Sequence, residues 1–148
     1  DIPNIYPAGR LDKDSEGLVI LTDDGALQQK ISNPKYNKIK TYVAQLDGEI
    51  TETAISTLVG GVRLKDGLTK PAKVRSISQP KWLWDRASPI RERKNIPTSW
   101  IEISITEGKN RQVRRMTAKV GFPTLRLIRT RVDEWHLKGL LPGSYATF

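Results

Sequence analysis

The sequence contains no cysteine and a single histidine, His136. The absence of cysteine excludes disulfides, thiolate metal ligands and cysteine nucleophiles. One histidine argues against a zinc site, and a Ser-His-Asp triad is open only if His136 supplies the base. We interpret this histidine, in the Trp-His-Leu segment at 135–137, as structural or surface-exposed.

Long apolar runs are also absent. The longest are only a few residues, too short for a membrane span or the apolar region of a signal peptide. A chain of 148 residues is large enough to bury one core. We therefore expect one soluble, cytoplasmic domain that acts as a monomer and needs neither a membrane nor a metal.

Charge of one sign is in clear excess. The chain has 25 Lys and Arg against 16 Asp and Glu, a net charge of +9 and a pI near 9.9. Each cation that neutralises a phosphate releases a counterion, so this excess indicates a polyanionic partner such as RNA. Simple solubility is the alternative, and the location of the charges must decide between them.

The most distinctive stretch is GRLDKDSEG at 9–17, followed by the apolar run LVIL. Three acids and two bases between two glycines predict a loop that presents side chains and leads into a buried strand. On composition alone, a solvated turn is at least as good an interpretation as an active site.

The remaining pattern alternates short helices and strands. Ile101, Ile103 and Ile105 mark one face of the clearest strand, at 99–106, and Asn110 is a candidate cap for the helix after it. We predict strands at 18–22, 40–46, 62–64, 72–77 and 99–106 and after the turn at 140–143, with helices at 26–32, 51–59 and 111–120. The turn between the third and fourth strands is predicted at Asp66 and Gly67.

The helix at 111–120 has an apolar stripe and a strongly basic remainder. Val113, Met116, Thr117 and Val120 form the predicted core stripe, and the cations are Arg111, Arg114, Arg115 and Lys119. One interpretation of these four cations is a helix face exposed to solvent. Three of them lie in the first half, where the helix dipole disfavours cations, and an anionic partner would offset that cost.

The segment 79–97 combines Trp82 and Trp84 with the basic run RERK at 91–94. Interleaved rings and cations are typical of a surface for single-stranded RNA. Tryptophans that cover the sheet explain the same composition, and the sequence leaves both interpretations open.

Three separated stretches carry a resemblance to a known family: GRLDKDSEGL at 9–18, KTYV at 40–43 and EGKNRQVRRM at 107–116. Together they resemble the three motifs of the RsuA family of pseudouridine synthases. The resemblance implies that Asp12 is catalytic, that Tyr42 stacks on the target base and that Arg114 lies against Asp12. It also implies that Arg10 helps to displace and hold a flipped nucleotide, although a loop salt bridge from Arg10 to Asp14 or Glu16 is an alternative.

The implied reaction isomerises a uridine of rRNA to pseudouridine, and it needs no cofactor. The implied RNA contacts are Arg10, Lys40, Arg111, Gln112, Arg115 and Arg129. The segment around the tryptophans further resembles family members that modify 23S rRNA. The implied fold is α+β, with a mixed, mainly antiparallel sheet, flanking helices and a basic cleft.

The family's N-terminal strand with its Lys-Pro motif, and its S4-type RNA-binding domain, are not found in these residues. We therefore expect 1–148 to be a catalytic-domain fragment. Two other classes stay open: a non-catalytic RNA-binding module, and a glycosidase that would use Asp14 or Glu16 as its second acid. A glycosidase acting on a neutral sugar would have no use for the +9 charge.

Overall fold

The computed structural model describes residues 4–86 and 96–148, so the basic run at 91–94 lies outside the described residues. The described strands are β1 (Tyr6–Ala8), β2 (Glu16–Gly17), β3 (Ile20–Thr22), β4 (Lys40–Asp47), β5 (Arg63–Leu64), β6 (Gly67–Leu68), β7 (Lys73–Ile77), β8 (Thr98–Ile105), β9 (Thr124–Val132) and β10 (Trp135–His136). The helices are α1 (Gly25–Ser32), α2 (Glu52–Gly60) and α3 (Gln112–Lys119), with a 3-10 helix at Pro34–Tyr36.

The central sheet has the order β10-β9-β4-β8-β7, with antiparallel pairing throughout. The short strand β2 adds a parallel pairing, because Glu16 and Gly17 lie opposite Ile128 and Arg129 of β9. The α+β fold with a mixed, mainly antiparallel sheet is thus confirmed. This parallel contact ties the acidic loop to strand β9 of the sheet.

The two faces of the sheet carry separate apolar clusters. Ile101, Ile103 and Ile105 pack with Leu58 of α2 and Met116 of α3, as the alternation in β8 predicts. Trp100 packs on the opposite face with Val43 and Ile128. Tyr42 and Val43 accordingly belong to different clusters, and Tyr42 packs at the edge of the one under the helices.

Local signals located the helix ends well. Asp24 caps α1 by accepting hydrogen bonds from Ala26 N and Leu27 N. The Thr51 hydroxyl accepts from Ala54 N at the start of α2, which ends at Gly61 with φ at 108°. The Thr51 cap and the glycine end of α2 follow the sequence prediction, whereas Asp24 was predicted only as part of a turn and proves to be the cap of α1.

One turn prediction and one strand prediction were wrong. The strands predicted at 62–64 and 72–77 are present as β5 and β7, but the turn lies at 65–66 and Gly67 begins β6, which forms a small hairpin with β5. Strand β7 pairs only with β8 among the described strands. No strand follows the turn at 140–143; the last described strand is β10, and the Phe148 ring packs instead on Trp135 with centroids 4.7 Å apart. Short segments of this kind are decided by tertiary contacts more than by pattern.

Candidate active site

A cavity of about 480 Å3 lies between the 9–17 loop, the central strands and the start of α3. Asp12 of the loop and Tyr42 of β4 line it together. Five more of the predicted site residues are also on its wall: Arg10, Lys40, Arg111, Gln112 and Arg129. The structure thus assembles seven of nine predicted residues around one cavity, while Arg114 and Arg115 are not on its wall.

The loop is held by backbone contacts at both ends. Gly17 has φ at 114°, and a Cβ placed there would lie 2.2 Å from the carbonyl oxygen of Arg129. Only glycine fits, because the loop and β9 approach backbone to backbone. Leu18 N then donates to Arg129 O at 2.8 Å, and Ser15 N donates to Asp12 O at 2.9 Å to close a turn around Asp12.

Asp12 keeps an accessible carboxylate, with its side chain 37% exposed. The nearest cation is Arg111, whose Nη1 lies 3.7 Å from Asp12 Oδ2. At this distance the pair is electrostatic without a hydrogen bond. Asp12 therefore has a charge partner and leaves its oxygens free for a substrate.

Arg114 makes a different contact from the one the resemblance implies. Its Nη2 donates to the backbone oxygen of Asp14 at 2.8 Å and to Ser15 Oγ at 3.3 Å, and its Nε lies 3.8 Å from Asp14 Oδ2. The side chain is only 13% exposed, and burial lowers the pKa of its guanidinium. Since Arg114 lies one turn deeper in α3 than Arg111, it reaches the base of the loop while Arg111 faces Asp12.

Arg111, rather than Asn110, is the cap residue of α3, and it makes no side-chain cap hydrogen bond. Its backbone is left-handed, with φ at 50° and ψ at 36°, which is uncommon for a residue with a side chain. Its guanidinium donates to both oxygens of Asp14 at 2.9 Å each. This hydrogen-bonded fork lowers the pKa of Asp14 to about 2, with Arg114 contributing and burial opposing.

Arg129 is a buried cation that shapes the loop from the sheet side. It is 3% exposed, and its Nε and Nη1 donate to the carbonyl oxygens of Leu18 and Arg10 at 2.9 Å and 3.0 Å. Its Nη2 has no hydrogen-bond partner among the described residues. Arg129 thus anchors the loop and makes the cavity wall positive.

Lys40 adds to this positive wall. Burial lowers the pKa of its amine, nearby Arg129 lowers it further, and Glu107 opposes the shift. Gln112 is 3% exposed and fastens the turn before α3: its Nε2 donates to Glu107 Oε1 at 2.8 Å, and its Oε1 accepts from Lys109 N at 3.1 Å. A polar side chain that is buried and satisfied in this way orients the turn.

Arg115 points away from the cavity and donates to both oxygens of Asp66, at 2.8 Å and 3.2 Å. Arg10 is exposed. The alternative interpretation, a salt bridge from Arg10 to Asp14 or Glu16, is not seen among the described residues. Asp14 pairs with Arg111 instead, and Glu16 pairs with Arg126. Arg10 therefore stays available on the cavity wall.

Sequence reasoning missed the partners of Glu16. Its carboxylate accepts from Arg126 Nε at 2.8 Å, Arg126 Nη2 at 2.9 Å and Trp84 Nε1 at 2.8 Å. Burial raises the pKa of Glu16, but these hydrogen bonds and the Arg126 charge outweigh it, so the pKa lies below its usual value. Glu16 fixes the end of the loop, and no local pattern signals a pairing across 110 residues.

The contacts of Glu16 also bear on the two tryptophans. Trp84 packs beside Trp100 and Ile128 on the sheet, which favours the sheet-covering interpretation for that residue. Trp82 lies against Trp84 with centroids 5.6 Å apart and stays 47% exposed. An RNA contact at Trp82 remains a prediction.

Comparisons with known proteins show the family of this chain. The family model described as RNA pseudouridylate synthase matches residues 2–119. Ribosomal large subunit pseudouridine synthase E of Xanthomonas campestris pv. campestris is 50% identical over 143 residues, which cover 97% of this chain and 76% of that protein. The protein with the same name from Vibrio parahaemolyticus is 53% identical over 144 residues, or 97% of this chain and 60% of that protein.

A crystal structure of pseudouridylate synthase has the same fold, with a TM-score of 0.74 at 31% identity over 93% of this chain and 54% of that one. The chain belongs to the RNA pseudouridylate synthase family. It is therefore an isomerase of RNA uridine, as the motifs predict.

The described residues show neither a metal-binding cluster nor a membrane-spanning helix. The described residues hold no group of three or more His, Cys, Asp or Glu side chains arranged to bind a metal ion. Among the helices of 4–86 and 96–148, none has the length and apolar character needed to cross a membrane.

Proposed function

We propose that this chain isomerises a uridine of large-subunit rRNA and that Asp12 is the carboxylate that reacts. The observation that carries the proposal is the position of Asp12, accessible in a cavity that Tyr42 and several cations also line. The rRNA substrate is taken from relatives that are named ribosomal large subunit pseudouridine synthases.

The cavity suits one extruded nucleotide. Its volume of about 480 Å3 lies within the range of roughly 300–1,000 Å3 of small-molecule sites. A base in structured RNA is stacked, and extruding it costs a few kcal/mol, which an aromatic partner offsets. Tyr42 supplies that ring, and Arg10, exposed on the cavity wall, helps to displace and hold the flipped nucleotide.

The reaction breaks the bond from N1 to C1′ and forms one from C5 to C1′. The hydrogen on C5 is lost to solvent and N1 gains a proton, so the composition does not change. Asp12 must be ionised to act as a nucleophile or a base in this sequence. Arg111 Nη1, at 3.7 Å from Asp12 Oδ2, supplies a neighbouring positive charge.

The positive wall of the cavity matches an RNA backbone. Lys40, Arg111 and Arg129 provide this charge, with Arg115 further along α3. Gln112 contributes by orienting the turn at 107–109. We propose that residues 1–148 act as one catalytic domain, as a monomer in the cytoplasm, and that the chemistry requires no metal because no redox or hydrolytic step is involved.

The experiment is to incubate the protein with unmodified transcripts of large-subunit and small-subunit rRNA and to map pseudouridine by carbodiimide labelling and primer extension. We expect one new site in the large-subunit transcript and none in the small-subunit transcript. Tight, salt-dependent binding of both transcripts without any new site would instead indicate an RNA-binding module.

A further inference from the structure

Asp14 and Asp12 share one cation but hold it differently. Both terminal nitrogens of Arg111 donate to Asp14, at 2.9 Å each, while Nη1 of the same guanidinium lies 3.7 Å from Asp12. A planar guanidinium matches a carboxylate best through such a two-bond fork. Asp12, the acid that is proposed to react, therefore has the longer contact with Arg111, and Asp14 has the two short hydrogen bonds.

The conformation of Arg111 requires stabilisation by contacts outside its own helix. Its backbone is left-handed, and no side-chain hydrogen bond caps α3 there. Residues with side chains keep that conformation only where the surroundings enforce it. The fork to Asp14 is the contact that fixes the guanidinium over the loop.

We propose that Asp14 is a positioning residue. Its carboxylate accepts both hydrogen bonds from Arg111 and so holds this cation beside Asp12. Arg111 therefore cannot donate the same pair of hydrogen bonds to Asp12 itself. Asp12 then keeps a neighbouring positive charge and free oxygens. This inference rests on the proposed role of Asp12.

The backbone of the loop is held independently of the Asp14 carboxylate. Arg114 Nη2 donates to the Asp14 carbonyl oxygen at 2.8 Å, and Arg129 holds Arg10 and Leu18. Replacing the carboxylate by an amide therefore leaves the loop anchored. The change acts mainly on Arg111, whose two hydrogen bonds are at 2.9 Å, and also removes the longer pairing with Arg114 Nε at 3.8 Å.

The test compares Asp14→Asn with wild type in steady-state pseudouridine formation on the large-subunit transcript. We expect kcat to fall roughly 10-fold to 100-fold, as for a misplaced reacting group, with KM within about twofold. Asp14→Glu keeps a carboxylate and should recover part of kcat. RNA affinity of each variant checks that it is folded.

Asp66→Asn is the matched control. Asp66 also accepts a fork from an arginine of the same helix, Arg115, and its side chain is 48% exposed against 46% for Asp14. Asp66 does not line the cavity, and its salt bridge is with Arg115 and not with a cation that contacts Asp12. Its variant should keep the wild-type kcat, and an equal loss in both variants would overturn the inference.

A double-mutant cycle tests whether Asp14 acts through Arg111. If it does, Asp14→Asn adds little to the loss caused by Arg111→Gln, and the two free-energy changes are not additive. Losses that multiply, or a wild-type kcat in Asp14→Asn, would overturn the inference. Asp12→Asn is measured beside them: if it stays active, the proposed function fails, and if it alone is inactive, only the role of Asp14 fails.

Discussion

Glu16 and Arg126 form a two-bond ion pair, at 2.8 Å and 2.9 Å, that joins the last acid of the loop to strand β9. The two side chains are 20% and 7% exposed. Trp84 Nε1 also donates a hydrogen bond to Glu16 Oε1, at 2.8 Å. Because the pair is mostly buried, removing one charge leaves the other without compensation.

We expect Glu16→Gln to lower the free energy of unfolding by about 3 kcal/mol or more, because it leaves the buried Arg126 charge without an anionic partner. Urea titration at neutral pH measures this change. The control is Glu102→Gln, which breaks the pair with Arg75, a side chain that is 69% exposed. A surface pair contributes little, so an equal loss in both variants would contradict the burial argument.

Stability should depend on Asp14 at acid pH. The pKa of Asp14 falls from 3.8 to about 2 on folding, so between these values the unfolded chain binds the proton more readily. The stabilisation is complete above pH 3.8 and is lost as the pH falls towards 2. Unfolding curves of wild type and Asp14→Asn should therefore differ most near neutral pH and converge near pH 2. A gap that widens in acid would contradict the low pKa of Asp14.

Gly17→Ala should destabilise the protein by more than about 1 kcal/mol and reduce turnover, because the new Cβ meets the Arg129 backbone at a positive φ. The matched control is Gly25→Ala, at the start of α1, where a Cβ meets nothing within 4 Å. Thermal unfolding of both variants makes the comparison. Equal melting temperatures would show that the loop does not need its close contact with β9.

Tyr42 should act through its ring. Tyr42→Phe keeps the stacking surface and should retain substrate affinity, whereas Tyr42→Leu should weaken it by about 1–3 kcal/mol, the contribution of one stacked base. Equilibrium binding to an RNA hairpin from the modified region measures both. If the leucine variant binds as tightly as the phenylalanine variant, Tyr42 only packs against the core under the helices.

Periodicity and capping predicted much of the fold. The alternation in β8 placed the isoleucines under the helices, and Thr51 begins α2 as its residue type predicts, because these features depend on neighbouring residues. The β5-β6 hairpin and the absence of a strand after residue 143 depend on tertiary contacts that no local pattern records.

The site, like the fold, has features that the sequence predicts and others that depend on tertiary contacts. Residue types in three motifs indicated that Asp12, Tyr42 and the arginines of α3 belong together, and the cavity brings Asp12, Tyr42 and Arg111 together. Which arginine meets which aspartate depends on a left-handed residue at the start of α3 and on one turn of helix between Arg111 and Arg114. The partners of Glu16, Arg126 and Trp84, were not predicted because they are far away in the chain.

The most direct test of the central claim is tritium release from large-subunit rRNA transcribed with uridine labelled at C5, under single-turnover conditions, for wild type and Asp12→Asn side by side. Joining C5 to C1′ displaces that hydrogen, so release reports the isomerisation itself. We predict release with wild type and none with Asp12→Asn, while both bind the RNA with similar affinity. Release at the wild-type rate from Asp12→Asn would contradict the assignment of Asp12 as the reacting carboxylate.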